Sequence, residues 1–211
     1  MSRATEELPK VSAIQGRSGQ LSRPDEPLRP VLLLLVGTSG SGKTTFYESH
    51  LKTVFPKLLK ASASPLEQEE TDQTRKRLLR MGECFVYVSD LFDLEVIREA
   101  RAAGYETKAV YLATEDSKLN LGRVLLRVNN GGRFAPISRM ANDYVRGLSQ
   151  LPKVKKLTDD LVLFDNTAHS RDVRLVAHFR CGKLVRLARE IPKWAQKVFG
   201  KEFTKCLKAS S

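Results

Sequence analysis

The stretch that most constrains this chain runs Val31-Leu32-Leu33-Leu34-Leu35-Val36 and then Gly37-Thr38-Ser39-Gly40-Ser41-Gly42-Lys43-Thr44-Thr45. Six aliphatic residues without polar alternation suit a parallel β-strand covered on both faces. Gly37 and Gly42-Lys43-Thr44 fit G-x-x-x-x-G-K-[ST], the Walker A spacing, and a helix is expected from about Lys43. The glycines let the backbone curl so that successive N–H groups converge on phosphate oxygens. The start of the helix adds its dipole and unpaired N–H groups to the same anion site. Every residue from Gly37 to Thr45 is therefore a candidate nucleotide contact. Lys43 would reach the β- and γ-phosphates of ATP, and the Thr44 hydroxyl would bind Mg²⁺. A Gly/Ser-rich turn after a core strand has similar composition but would not need strand, spacing and helix to agree. The stretch implies a nucleoside triphosphate ligand.

Its surroundings set the fold class. The 211 residues suit one α/β domain with a tail. Residues 1–29, with Pro9, Pro24 and Pro27 and no sustained period, read as a tail that buries too little apolar surface to order itself. The domain then spans 30–211. Further strands are expected at Leu58–Ser62, Cys84–Val88, Thr107–Leu112 and Leu161–Phe164. Helices are expected at Thr45–Val54, Pro65–Met81, Leu91–Ala103, Ser117–Val128 and Ile137–Leu148. This alternation requires right-handed crossovers and a parallel sheet of about five strands flanked by helices. Arg174–Arg180 and Lys183–Leu187, around Cys181-Gly182, read as an added β-hairpin, and Pro192–Phe199 as a short helix carrying Trp194. The class is that of a P-loop NTPase.

Ligands of open parallel sheets sit beyond the carboxyl ends of the strands. Ser89-Asp90 ends the third strand, so Asp90 could orient Mg²⁺ or take a proton from an acceptor hydroxyl. It could equally N-cap the next helix. Arg123 and Arg127, spaced i, i+4, share a helix face ahead of Asn129-Asn130-Gly131-Gly132-Arg133. They read as part of a helical lid that brings guanidinium groups over a phosphate, where a planar fork neutralises charge developing in transfer. Asp165-Asn166 could touch a nucleotide base or build a turn, with the turn favoured.

Charge narrows the partners. Lys plus Arg is 36 against 24 acids, a net +12 with pI near 9.8. Such a field attracts nucleotides, phosphorylated sugars, nucleic acid or an acidic protein. From Arg171 onward eleven Lys/Arg face Asp172, Glu190 and Glu202, so net +8 lies there. Nucleic-acid binding ranks low, because base stacking needs interleaved aromatics that this region lacks. Cys84, Cys181 and Cys206 show no metal-ligand spacing and read as reduced thiols. His50, His169 and His178 have no ligand or triad partner at useful spacing. No secretory leader is evident and Val31–Val36 is too short for a bilayer, so a cytoplasmic protein is expected.

From about Pro30 to Gly200 the chain resembles the zeta-toxin family of P-loop kinases. The resemblance rests on Gly37-Thr-Ser-Gly-Ser-Gly-Lys-Thr-Thr45, Ala102-Ala-Gly-Tyr105, Tyr111-Leu112, Arg123-Val124, Arg127-Val128, Gly131-Gly132, Pro136, Tyr144, Asp165-Asn166-Thr167 and Ile191-Pro-x-Trp194. It implies an ATP- and Mg²⁺-dependent kinase acting on a hydroxyl of a nucleotide sugar, such as UDP-N-acetylglucosamine, or a related nucleotide. It also implies a toxin held by an antitoxin. Lys43, Thr44, Arg123 and Arg127 carry over. Three positions depart: Lys60-Ala61-Ser62 replaces an Asn-x-Asp base, Val88-Ser89 replaces Glu-Thr, and Asn142-Asp143-Tyr144 replaces Arg-Arg-Tyr. Asp90 could then serve as the base. Alternatively the chain is a nucleotide-binding module that has lost catalysis and acts through a partner.

Overall fold

Leu32, Leu34 and Val36 point to one face of β1 (Val31–Val36) and Leu33 and Leu35 to the other, and all five are fully buried. That explains the unbroken aliphatic run: each face of the strand meets its own core. The computed structural model describes residues 29–62, 64–131, 137–168 and 173–209. The tail up to residue 28, Gly132, Arg133, Pro136, His169, Arg171 and Asp172 lie outside the described residues.

β1 pairs in parallel with β3 (Phe85–Ser89) and β4 (Glu106–Ala113), with β2 (Leu58–Lys60) and β5 (Asp160–Asp165) outside them. The parallel block of five has the order β2-β3-β1-β4-β5. β6 (Arg174–Arg180) and β7 (Lys183–Leu187) continue the same sheet in antiparallel sense, making seven strands. The hairpin is therefore part of the sheet and covers the edge that β5 would otherwise expose.

Helices cover both faces. One core gathers Phe46, Tyr47, Leu51 and Phe55 against Leu33, Leu35 and Phe164. The other gathers Val96, Ile97, Leu151, Trp194 and Phe199 around Tyr87, Tyr111 and Phe179. The helix after the loop starts as α1 (Lys43–Phe46) and widens into a π-helical turn over Tyr47–Leu51. α2 (Pro65–Met81) has the expected bounds.

Three helix boundaries differ from expectation, each for a local reason. α3 spans Leu94–Ala102, because the Asp93 side chain accepts from the Glu95 and Val96 amides and sets the start there. After α4 (Ser117–Asn129), α5 runs Ile137–Leu157 and passes through Pro152. Burial of Leu151 and Val154 against the sheet outweighs the lost N–H. α6 runs Lys193–Ala209, well beyond Phe199, because Phe199 and Phe203 both pack on the Phe179 ring.

His178 takes a structural place in the sheet. It is buried in β6 with Nε2 2.5 Å from Asp160 Oδ1 across the β5–β6 pair, and Arg180 Nε donates to the same oxygen at 3.2 Å. Burial pushes the Asp160 carboxyl up, but the hydrogen bonds and charges of His178 and Arg180 outweigh it and hold the carboxyl below its usual range. A carboxylate lowered in the folded state contributes stability that is complete above its unfolded value near 3.9 and is lost as pH falls through the folded value. Asp160→Asn is therefore expected to cost about 2 kcal/mol at pH 7 and to flatten the acid limb of a stability-versus-pH curve measured by urea unfolding. An unchanged acid limb would count against the pairing.

Candidate nucleotide site

The loop from Gly37 to Gly42 joins β1 to α1 at the carboxyl edge of the sheet, and its glycines are there for space as much as conformation. Gly40 and Gly42 have φ of 85° and 97°, the left-handed region. A Cβ on Gly40 would collide with the Asn120 carbonyl, and one on Gly42 with the Asn166 side-chain amide. A Cβ on Gly37 would strike the Leu112 carbonyl of β4. Asn166 Nδ2 donates to the Ser41 carbonyl at 2.8 Å, which ties the end of β5 to the loop. Asn166 thus braces the loop through its side chain, beyond the turn favoured for it.

Two features fit the loop to a phosphate group. No side chain caps α1, whose first helical bond is Phe46 N–H to the Gly42 carbonyl at 2.9 Å. The amides of Lys43, Thr44 and Thr45 precede that bond and so lack an intrahelical acceptor. Below them, Ser41 Oγ is fully buried with no hydrogen-bond partner among the described residues. Thr44 and Thr45 are exposed beside these amides, while Thr38 is buried and Ser39 half-buried.

The Lys43 ammonium is held between the Gly37 carbonyl and Asp90 Oδ1, the latter at 2.7 Å, with its side chain 12% exposed. Asp90 Oδ2 accepts from Ser39 Oγ at 3.0 Å. Asp90 therefore engages the loop with both oxygens, and Asp93 takes the capping role. Desolvation lowers the Lys43 pKa from the usual lysine value. Asp90 opposes this, Arg127 adds to it, and Asp143 opposes it weakly.

Arg123 and Arg127 meet different neighbours. Arg123 lines a cavity of about 210 Å³ with Gly42, Thr45, His50 and Asn166, and its Nη2 lies 3.5 Å from the Thr167 carbonyl. Arg127, one turn later on α4, stands close enough to lower the pKa of Lys43. Among the described residues no group of three or more His, Cys, Asp or Glu could hold a metal ion. Mg²⁺ at a phosphate site needs only one or two protein oxygens alongside phosphate and water, which Thr44 and Asp90 could provide.

No protein-family model and no curated protein matches the chain. Solved structures do match. A chain of the PezAT chromosomal toxin–antitoxin system of Streptococcus pneumoniae superposes with TM-score 0.53 at 14% identity, covering 87% of this chain and 88% of that one. A structure described as a candidate kinase from Chloroflexus aurantiacus (TM-score 0.45, 18% identity) covers 56% of this chain and 79% of its own. A sugar kinase from Janibacter (TM-score 0.39, 14% identity) covers 64% and 85%. The fold is that of the PezAT chain, an α/β sheet of the P-loop NTPase kind.

Two further residues enter the site only through tertiary structure. Asp143, the anion in the Asn-Asp-Tyr departure, is 4% exposed on α5 and bonds Arg139 at 3.3 Å, and its charge reaches Lys43. Next to it, Tyr144 donates to the Thr114 carbonyl at 2.8 Å, which fastens α5 over the end of β4. No sequence spacing links residues 143 and 43. The basic hairpin is less available to a polyanion than its composition implies, since Arg174 pairs with Asp165 and Glu190, and Arg180 with Asp160. Among the described residues no helix is long and apolar enough to cross a membrane.

Proposed function

We propose that the chain binds ATP with Mg²⁺ at the Gly37–Thr45 loop and transfers the γ-phosphoryl group to an alcohol. The observation that carries this reading is the cradle itself: a loop without room for a Cβ at Gly40 or Gly42, with Lys43 and Asp90 meeting over it. ATP would supply the transferable group. The loop amides and Lys43 would bind phosphate oxygens, and Thr44 would hold the metal. Arg127 would neutralise charge beside Lys43, while Arg123 would bound the nucleoside side through its cavity. Asp90, within reach of Lys43, would orient the metal or accept the hydroxyl proton. The family resemblance carries the expectation of a nucleotide-sugar acceptor and of an antitoxin or other acidic partner. The toxin–antitoxin origin of the PezAT chain agrees with the latter.

A nucleotide-binding module acting through a partner is the second reading. It is favoured by Ser62 and Val88, which stand where acids are expected: Ser62 Oγ donates locally to Glu67 Oε2 at 2.5 Å, and Val88 has no ionisable group. ADP formation from Mg²⁺-ATP, with a panel of nucleotide sugars, free sugars and 5′-hydroxyl oligonucleotides, separates the two. Acceptor-dependent ADP is expected. A melting shift with ATP but no turnover on any acceptor would establish the binding module.

A further inference from the structure

Lys60 of β2 stands opposite Val88 of β3, and Val36 of β1 stands opposite Ser89. Carried past the strand ends, this register brings Ser62, Asp90 and Gly37 to one level of the carboxyl edge, with neighbouring chains about 4.8 Å apart. The Ala61 N–H still bonds to the Val88 carbonyl at 2.8 Å, so pairing persists almost to that level. A cavity of about 530 Å³ opens there, beside Ser62, between the end of β2 and the first turns of α2. It lies at the same edge as the phosphate loop, with Asp90, just past the end of β3, between them.

The lining has unusual chemistry for this molecule. The chain carries net +12, yet Glu67 and Glu70 face the cavity with only Lys60 as a cation, beside the hydroxyls of Ser62, Thr71 and Thr74. Glu67 Oε2 accepts from Ser62 Oγ at 2.5 Å, and the Thr71 hydroxyl lies 2.9 Å from the Glu67 carbonyl and 3.3 Å from that of Lys60. A pyrophosphate would need cationic forks here and would meet two carboxylates. A compound rich in hydroxyls can donate to those carboxylates and accept from the Thr74 hydroxyl, while the Ser62 and Thr71 protons are already given to Glu67, and an ammonium group would pair with Glu67 or Glu70.

We propose that this cavity is the acceptor subsite and that it takes a phosphate-free polyol, an amino sugar by preference, in place of a nucleotide sugar. This rests on the phosphotransferase reading and narrows its acceptor.

Isothermal titration without ATP tests it, using neamine as the amino-sugar probe and UDP-N-acetylglucosamine as the phosphate-bearing one. Wild type is compared with the Glu67→Gln/Glu70→Gln double variant. Both glutamates are exposed, so the variant is expected to fold, as circular dichroism melting will verify. Neamine is expected to bind wild type at least about tenfold more tightly than UDP-N-acetylglucosamine, and to lose about tenfold or more in the variant. Tighter binding of UDP-N-acetylglucosamine, or equal neamine affinity in both proteins, overturns the assignment. Wild-type melting with Mg²⁺-ATP separates the two levels of failure. An ATP shift with no neamine binding overturns the acceptor assignment alone, and no ATP shift overturns the nucleotide reading together with it.

Discussion

Lys43→Ala is expected to remove most of the rise in melting temperature that Mg²⁺-ATP confers on the wild-type protein. A ligand that binds only the folded state stabilises it by about 2.7 kcal/mol at a hundred times its Kd. For a domain of this size that corresponds to roughly 5–10 °C. Lys43 supplies a side-chain ammonium drawn onto the loop, held there by the Gly37 carbonyl and Asp90. Without it the loop amides alone would face the phosphate charge, and the shift should fall below about 2 °C. The unliganded variant should melt close to wild type. Its Asp90 partner is 35% exposed and keeps Ser39 as a donor, so little uncompensated charge is buried. Differential scanning fluorimetry across a range of ATP concentrations makes the comparison. A full shift in Lys43→Ala would end the nucleotide assignment.

The second large effect is expected at Asp90, where enzyme and binding module part. If Asp90 is the base or the metal's orienting acid, Asp90→Asn should cut turnover about a hundredfold or more, the scale of a positioned proton acceptor. Nucleotide affinity should change little, since asparagine has the same size and can still accept from Lys43 or Ser39 through its one carbonyl oxygen. Both carboxylate oxygens already contact the loop, at 2.7 Å from Lys43 and 3.0 Å from Ser39, so any acceptor hydroxyl near the transferring phosphate would lie within a short reach. Steady-state kinetics with the best acceptor, together with an ATP melting titration, reads the two quantities separately. Turnover within about threefold of wild type would move the base elsewhere. Loss of ATP binding in step with turnover would make Asp90 a partner that positions Lys43.

The strand, loop and helix around Gly37–Thr45 were legible in the sequence because each depends on residues close in the chain. The aliphatic run required burial on both faces, and both cores indeed close on β1. The hairpin and the bounds of α2 were local in the same sense, set by Cys181-Gly182 and by Pro65 and Gly82. Where the chain's own chemistry was ambiguous, tertiary structure decided. By sequence Asp90 could equally cap a helix or serve the site; in the fold Asp93 takes the cap, and Lys43 and Ser39, across the β1–β3 pair, draw Asp90 onto the loop. Asn166 lies 125 residues from Ser41, His178 needs Asp160 from the neighbouring strand, and Asp143 reaches Lys43 only because α5 packs over the end of β4. Local spacing specifies the phosphate loop because backbone curvature is a property of consecutive residues. The charges that surround it come from four separate segments, α1, the end of β3, α4 and α5, and their distances are set by packing and strand order, which no single stretch of sequence contains.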